Sequence, residues 1–428
     1  MESQLRGPSY PHSPVESSEL GEKMKILIAD ELHESAQKTL ELIGHEVIVK
    51  PKCTSADLHE HLQGVEALVV RSTRVLEKNL QAADTLEVII RAGAGVDTID
   101  VEAASNQGIY VCNVPGKNAV AVAELTFALL LGIDRRIADG AQDLKDGIWN
   151  KRLYSKADGL HGKIIGIVGL GEIGLCVAER AKAFGLTVLG ERKQGRTQRV
   201  EQRIRQIGIR LVDTLPDLVS QSDIVSIHVP FNEATESMVN KDFLSDFQKG
   251  AILINTSRGE VIDEQDLLDA IENQSLRVGL DVFQDEPASS GTNFDSKLAN
   301  HPSIVGSHHI GASTKQASIA VAKGVIEAIT SFELGNPKNC VNESPEGDGT
   351  SQVRVRHLDK VGVLASVLST LRSVDLNVQY MNNKVFAGKK AAVSTIEVAG
   401  EIPADLYDQL ISLENVLGVS LLDKRSVG

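Results

Sequence analysis

Three kinds of side chain in the second half of this 428-residue chain have the types needed to move a proton beside a bound anion. Arg258 stands at the end of an apolar run in "LINTSRGEVID", Glu286 just before a Pro in "GLDVFQDEP", and His308 and His309 side by side in "VGSHHIGAST". A guanidinium fork holds a carboxylate and polarises a ketone. An imidazole, with a reference pKa of about 6.5, can exchange a hydroxyl proton, and a nearby carboxylate strengthens it as a base. Any one of these residues alone is more often structural, and their spacing leaves open which histidine would act.

The strongest local signal is "GIVGLGEIG", a G-x-G-x-x-G at Gly169, Gly171 and Gly174 that follows an apolar strand and opens a helix. In that setting the glycines permit a tight turn and let a pyrophosphate approach the helix N-terminus. The next strand ends in "TVLGERKQGR". Glu191 could bind the adenosine ribose 2′-hydroxyl, whereas Arg192, Lys193 and Arg196 could accommodate a 2′-phosphate, so NAD and NADP both stay open. A solvated charged loop is the alternative. In the first half, "VVRSTR" sets Arg71, Ser72, Thr73 and Arg74 at a strand end, and "VIIRAGAGVD" adds Arg91 before a Gly-rich turn. Two arginines with turn amides suit an oxyanion; structural ion pairs are the other reading.

The elements that must position these residues alternate as apolar strands and helices from Met24 onward, which predicts parallel sheets covered by helices. Residues 119–147 predict one long, largely buried helix and its continuation. A Gly/Pro/Asn-rich stretch follows at 335–352. Beyond it a β-α-β-β-α-β order predicts a small ferredoxin-like module. Net charge of −14 and a pI near 5.3 argue against a nucleic-acid partner. The scattered cysteines (Cys53, Cys112, Cys176 and Cys340) argue against a disulfide scaffold or a zinc site, so no metal is expected. No run is apolar enough to span a bilayer. Residues 1–23, rich in Ser, Pro and Glu, read as a disordered tail without a leader, with Met24 as an alternative start, and the expected location is cytoplasmic.

With these motifs in this order the chain resembles the D-isomer-specific 2-hydroxyacid dehydrogenases from Met24 to Asp423, including a terminal unit similar to an ACT domain. The resemblance implies an α/β fold with a Rossmann-type nucleotide domain (119–305) inserted in a split substrate domain (24–118 and 306–340). A linker at 341–351 and an ACT-like βαββαβ module at 352–428 would complete it. It assigns catalysis to Arg258, Glu286 and His309, with His308 where many relatives carry Pro. Cofactor contacts fall on the three glycines with Glu172 and Ile173, on Glu191 and Arg192, and on His228 and Pro230. Further ones fall on Thr256 and Ser257, on Asp281 toward the nicotinamide amide, and on Gly311 and Ala312.

Substrate contacts fall on Arg71, Ser72, Arg91, Asn118, Arg258 and the amides of 93–96. Arg192 stands where NAD-using members commonly place Asp, which implies NADP use alongside NAD. In the terminal module His357, Asp359 and Asn377 match positions that bind an L-serine effector between paired modules. Asp359 replaces an Asn and Val361 a Pro, and a purely oligomerising module is the alternative. The family implies dimers or tetramers, with Trp149 in a stretch like its subunit contact; core packing is the plainer reading of that residue. The implied activity is NAD(P)-dependent oxidation of a small phosphorylated 2-hydroxy acid, with no nucleic-acid or membrane partner. The alternatives are a hydroxypyruvate or glyoxylate reductase and, in another class, a nucleotide-sensing protein like the family's corepressors.

Overall fold

The computed structural model describes residues 23–287, 291–343 and 349–423. The chain divides into two compact units, one through Asn342 and one from Glu343. In the first, strands β1 (Lys25–Ile28), β2 (Glu46–Val49), β3 (Ala67–Val70), β4 (Val88–Arg91) and β5 (Tyr110–Asn113) form a parallel sheet in the order β2-β1-β3-β4-β5. A second parallel sheet holds β6 (Ile164–Val168), β7 (Thr187–Glu191), β8 (Arg210–Val212), β9 (Ile224–Ile227), β10 (Ile252–Asn255), β11 (Arg277–Leu280) and β12 (Ile304–Gly306). Its order is β12-β11-β10-β9-β6-β7-β8. That order reverses between β6 and β9, where doubly wound sheets open the crevice that takes a ligand. Strands such as β3, β9 and β10 are buried along their whole length because helices cover both faces of a parallel sheet.

Helix Ala119–Arg135 leads from the first sheet to the second and packs on β10, β11 and β12. Its Ala- and Leu-rich sequence favours helix, and it stops where Arg136 turns left-handed at φ 49°. The expected buried continuation departs here. Helix Ile137–Lys145 has no buried residue, and Ile137, Leu144, Ile148 and Trp149 are exposed, Trp149 by 81%. The break at Arg136 interrupts the helix, so these apolar side chains do not enter the core. Core packing therefore does not account for Trp149.

After β12 the chain returns. Helix Lys315–Glu333 packs on helix Ser35–Leu42 and on β4, and its Val325, Ala328 and Ile329 share a core with Ile26, Val69 and Ile90. Residues 339–342 then lie along β5: Asn113 N donates to Asn339 O (3.1 Å) and Val341 N to Val111 O (2.8 Å). Val341 and Asn342, read from sequence as linker, are thus bound to the sheet edge; Val111 N donates to Asn342 Oδ1 at 2.8 Å.

The second unit runs β13 (Ser351–Leu358), helix Val363–Ser373, β14 (Asn377–Val385), β15 (Ala391–Ala399), helix Leu406–Ile411 and β16 (Val416–Asp423). Its antiparallel order β14-β15-β13-β16 is the expected ferredoxin-like arrangement. Val353 and Val355 alternate inward along β13 and meet Ile396, Val367, Leu371 and Leu410. Among the described residues, no helix is long and apolar enough to cross a membrane.

Candidate active site

Asp281, buried at the end of β11, organises the loop that carries the histidines. Its Oδ1 accepts from Ser307 Oγ (2.6 Å) and Ile310 N (2.9 Å), its Oδ2 from Gly311 N (2.8 Å), and its carbonyl from His309 N (2.7 Å). These bonds hold His309 at φ 52°, a left-handed conformation that costs a non-glycine residue about 1–2 kcal/mol. His309 Nδ1 lies 2.6 Å from Glu286 Oε2, and Phe283 N donates to Glu286 Oε1 at 2.9 Å. The hydrogen bond to Glu286 lifts the His309 pKa above its ordinary value against the opposing pull of burial. For Glu286, burial pushes up, but the bonds from His309 and the Phe283 amide outweigh it and leave the carboxyl below the usual range. With Nδ1 held by the carboxylate, Nε2 is the nitrogen left for a substrate hydroxyl. His308 is exposed; the carboxylate belongs to His309.

The facing side is positive. Asn255 Nδ2 donates to Arg258 O (2.8 Å) while its Oδ1 accepts from Ser257 N (2.9 Å), which fixes the backbone that presents Arg258. Arg258 Nη2 reaches Asp97 Oδ1 at 3.4 Å. Arg91, at the end of β4, has its Nε buried with no hydrogen-bond partner among the described residues. Burial, then the charges of Arg258 and Arg71, lower its pKa, with Asp97 opposing. Burial pushes Asp97 up, but Arg258 and the surrounding hydrogen bonds hold it below the ordinary carboxylate range. A Cβ at Gly93 would meet the Arg91 guanidinium, and one at Gly95 would sit 2.9 Å from Arg258 Nη2, so a side chain at either place would push those groups aside.

Asp30 Oδ2 takes the amides of Arg71 (2.6 Å), Ser72 (3.0 Å) and Thr73 (3.0 Å), which fixes the backbone that carries the Arg71 and Ser72 side chains. Asn118 Oδ1 is buried without a hydrogen-bond partner in the described residues.

The glycine motif follows β6 at the reversal of strand order. Gly169 sits at φ 99°, and a Cβ there would lie 2.6 Å from His228 O; one at Gly174 would strike the Gly169 carbonyl, while Gly171 faces open space. That bare cradle at the start of helix Glu172–Ala183 fits a dinucleotide pyrophosphate. Glu172 would repel the phosphates, but Arg203 (2.7 Å) and Arg199 (4.0 Å) neutralise it. Ile173 packs against the core beneath. His228 follows β9; its Nε2 meets Ser226 Oγ at 2.8 Å, its Nδ1 is buried without a hydrogen-bond partner, and burial pushes its pKa down to about 3, so the ring is neutral.

Pro230 is exposed beside it. Thr256 Oγ1 meets Thr126 Oγ1 at 3.2 Å, and Ser257 Oγ donates to Asn255 Oδ1 at 2.7 Å, so both hydroxyls serve the scaffold. Gly311, whose amide binds Asp281, and Ala312 follow His309 in the same loop. Glu191 ends β7 with Lys193 at 3.3 Å; Arg196 donates to Glu191 O at 2.6 Å and is largely buried, whereas Arg192 reaches Asp213 (3.0 Å) from solvent.

Sequence reasoning missed Asp97, Asn255 and Asp30 as organisers of the arginine side. Asp97 stood in view within "AGAGVD", but nothing local said it would meet Arg258. Cys53, Asp57 and His61 also place donor atoms within 4.8 Å of one another, a grouping the sequence did not single out. Asp57 Oδ1 is already engaged there by Thr54 N at 2.6 Å.

Residues 127–311 match the family described as D-isomer specific 2-hydroxyacid dehydrogenase, NAD binding domain. A D-3-phosphoglycerate dehydrogenase of Archaeoglobus fulgidus is 33% identical over 395 residues, which cover 91% of this chain and 72% of that protein. The chain belongs to the D-isomer-specific 2-hydroxyacid dehydrogenase family. The D-3-phosphoglycerate dehydrogenase of Methanocaldococcus jannaschii is 38% identical over 322 residues, 74% of this chain but 59% of that protein, so less than two thirds of that relative's length is spanned. An acyclic imino acid reductase solved with NADPH and D-Arg overlays with a TM-score of 0.66 at 27% identity, covering 74% of this chain and all of that one.

In the second unit His357 is buried, with Nε2 3.1 Å from Ser394 Oγ and 3.3 Å from Asn383 Oδ1. Asp359 is exposed just past the end of β13. Asn377 pairs with Ala399 whereas His357 pairs with Ala392. Seven strand positions separate the two levels, roughly 23 Å. Within one module these residues do not converge, so a shared ligand requires a second copy of the module.

Proposed function

We propose that the protein oxidises 3-phosphoglycerate to 3-phosphohydroxypyruvate with NAD or NADP, the reaction named by its D-3-phosphoglycerate dehydrogenase relatives and leading to L-serine in the cytoplasm. The observation that carries this reading is the His309–Glu286 pair within the field of Arg258, which in turn acts on Arg91, whose buried Nε has no hydrogen-bond partner among the described residues. When bound, the nicotinamide supplies the hydride acceptor. Arg258 holds the substrate carboxylate and polarises the reacting oxygen. His309 Nε2 takes the hydroxyl proton and returns it in the reverse direction, while Glu286 fixes the ring and balances its charge. Arg71, Arg91, the Ser72 hydroxyl, Asn118 and the 93–96 turn bind the anionic ends of the substrate.

The same reading divides the chain as read from sequence, with the substrate domain split around the nucleotide domain. It treats the terminal module as a site where L-serine is held between paired copies by His357, Asp359 and Asn377. The exposed Ile137, Leu144, Ile148 and Trp149 support a homo-oligomer, a dimer or tetramer, in which a second copy covers them. Arg192 and Lys193 at the adenosine end support NADP use alongside NAD.

A panel of 3-phosphohydroxypyruvate, hydroxypyruvate, glyoxylate and 2-oxoglutarate, each with NADH and NADPH, tests the reading. The highest kcat/KM is expected with 3-phosphohydroxypyruvate; a higher value with glyoxylate or hydroxypyruvate would make the protein a simple reductase. An Arg192→Asp variant is expected to shift the cofactor ratio toward NADH. Millimolar L-serine is expected to lower the rate, and the effector assignment fails if neither rate nor Tm responds.

A further inference from the structure

Cys112 and Cys340 come from far-apart parts of the chain, yet they are direct partners in an isolated antiparallel bridge. The flanking bonds, Asn113 N to Asn339 O (3.1 Å) and Val341 N to Val111 O (2.8 Å), define the type of pair. The cysteines occupy the non-hydrogen-bonded position, in which side chains of opposite residues stand on the same face and approach most closely. Such pairs have Cα atoms about 4.5 Å apart, inside the about 4.4–6.8 Å that a disulfide spans. The register is tightly held. Asn342 accepts from Val111 N at 2.8 Å and donates to Ile109 O at 2.8 Å, and both cysteines pack in one apolar cluster. Both are thiols in the structure.

We propose that Cys112 and Cys340 form a reversible modification site, an intramolecular disulfide made by exchange with a low-molecular-weight disulfide. The two positions divide the roles. Cys340 is partly exposed and Cys112 fully buried. Cys340 loses its proton to solvent, and its thiolate attacks one sulfur of the reagent R–S–S–R. One RS⁻ departs and collects a proton. The Cys112 thiolate then attacks Cys340 Sγ, breaking the mixed disulfide, and the second RS⁻ leaves with the Cys112 proton. The balance is two protein thiols plus RSSR giving one protein disulfide plus two RSH.

In such a pair the Cβ atoms stand about 4.5 Å apart, the upper end of the about 3.5–4.5 Å that a disulfide uses, and the partly exposed Cys340 sulfur leaves the bond open to a reducing thiol. While it stands, the segment after the return helix cannot leave β5. That strand is followed by the turn toward the substrate side, and Asn113 Nδ2 donates to Ala94 O at 2.6 Å within the 93–96 turn itself. The other cysteines are poorly placed to compete. Burial, then Asp57 and Asp30, pushes the Cys53 thiol up to about 11, which starves it of thiolate, and Cys176 is buried in helix Glu172–Ala183.

The test uses the full-length native protein incubated with oxidised glutathione, followed by quenching, thiol titration and peptide mapping by mass spectrometry. The expected result is a fall from four titratable thiols to two under denaturing conditions, a cross-linked peptide joining Cys112 to Cys340 and recovery of all four with dithiothreitol. A Cys340→Ser variant, altered at a partly exposed position, should keep all three of its thiols at Cys53, Cys112 and Cys176. The proposal is overturned if Cys340 stops at a stable glutathione adduct, if no thiol is lost, or if the cross-link joins a different pair. Because the readout is covalent, it stands apart from whether the substrate assignment above is right.

Discussion

The two sides of the site are built on opposite electrostatic plans. On the histidine side, charge is matched before any ligand arrives: His309 and Glu286 meet at 2.6 Å, and the Phe283 amide completes the carboxylate. On the arginine side, Arg91 and Arg258 repel each other, and the carboxylates of Asp97, 3.4 Å from Arg258, and of Asp30 oppose that repulsion. A paired group is held in place by its own partner. An under-paired one stores an unfavourable charge that an anionic substrate relieves, so it contributes to affinity more than to the stability of the free protein. Under the proposed activity, the difference separates residues that would perform the proton transfer from those that would select the molecule.

Removing the proton carrier gives the largest expected effect. His309→Ala should lower kcat by about 100- to 10,000-fold while cofactor binding, read by fluorescence titration, persists; retained turnover would remove His309 from the chemistry. Next comes Arg91→Met. It should raise KM for the phosphorylated substrate by about 10- to 100-fold with little change in kcat, the scale of one hydrogen-bonded charge. The Tm of the substrate-free protein should not fall, because an unfavourable buried charge has gone. A clear drop in Tm would show that Arg91 is structural, and the contrast between the two sides would collapse.

Glu286→Gln acts on the pH profile. Oxidation requires neutral His309, so kcat/KM rises with pH through the His309 pKa, which Glu286 holds above its ordinary value. Without the carboxylate that pKa falls, and the acid limb should move to lower pH as the maximum rate also drops. An unmoved limb would mean that another group titrates. The smallest effect belongs to Asp97→Asn. It should lower KM by at most about fivefold, since a partly exposed pair is worth about 1 kcal/mol or less and its carboxylate competes for Arg258. A large rise in KM would instead make Asp97 a residue that positions the guanidinium.

The sequence made the local parts of this site readable. Gly169, Gly171 and Gly174 could be assigned because strand, turn and helix adjoin within a dozen residues, and the mechanism of the motif is itself local. Arg258, Glu286 and His309 were legible as types at element ends, though choosing His309 over His308 needed the family register. What stayed hidden depends on distant segments. Asp97 meets Arg258 only because two sheets face each other, and Asp281 was read as a cofactor contact while its oxygens hold the His309 loop. The apolar residues after Arg136 were placed in a core because helical periodicity reports amphipathicity but not what covers the apolar face. The pairing of Cys112 with Cys340 was invisible for the same reason: scattered cysteines carry no sign of strand register.

The route of the chain through the first unit has a consequence for its birth on the ribosome. Ile26, Val69 and Ile90 lie in strands made early, yet the helix that seals them carries Val325, Ala328 and Ile329. The nucleotide-binding sheet in between can collapse as soon as β12 has emerged, whereas the first-made sheet has Leu40 of the early helix on that face but lacks the rest of its cover until nearly the whole unit has been synthesised. Its strands complete their core only with a partner far along the chain, a long-range closure of the kind that slows folding.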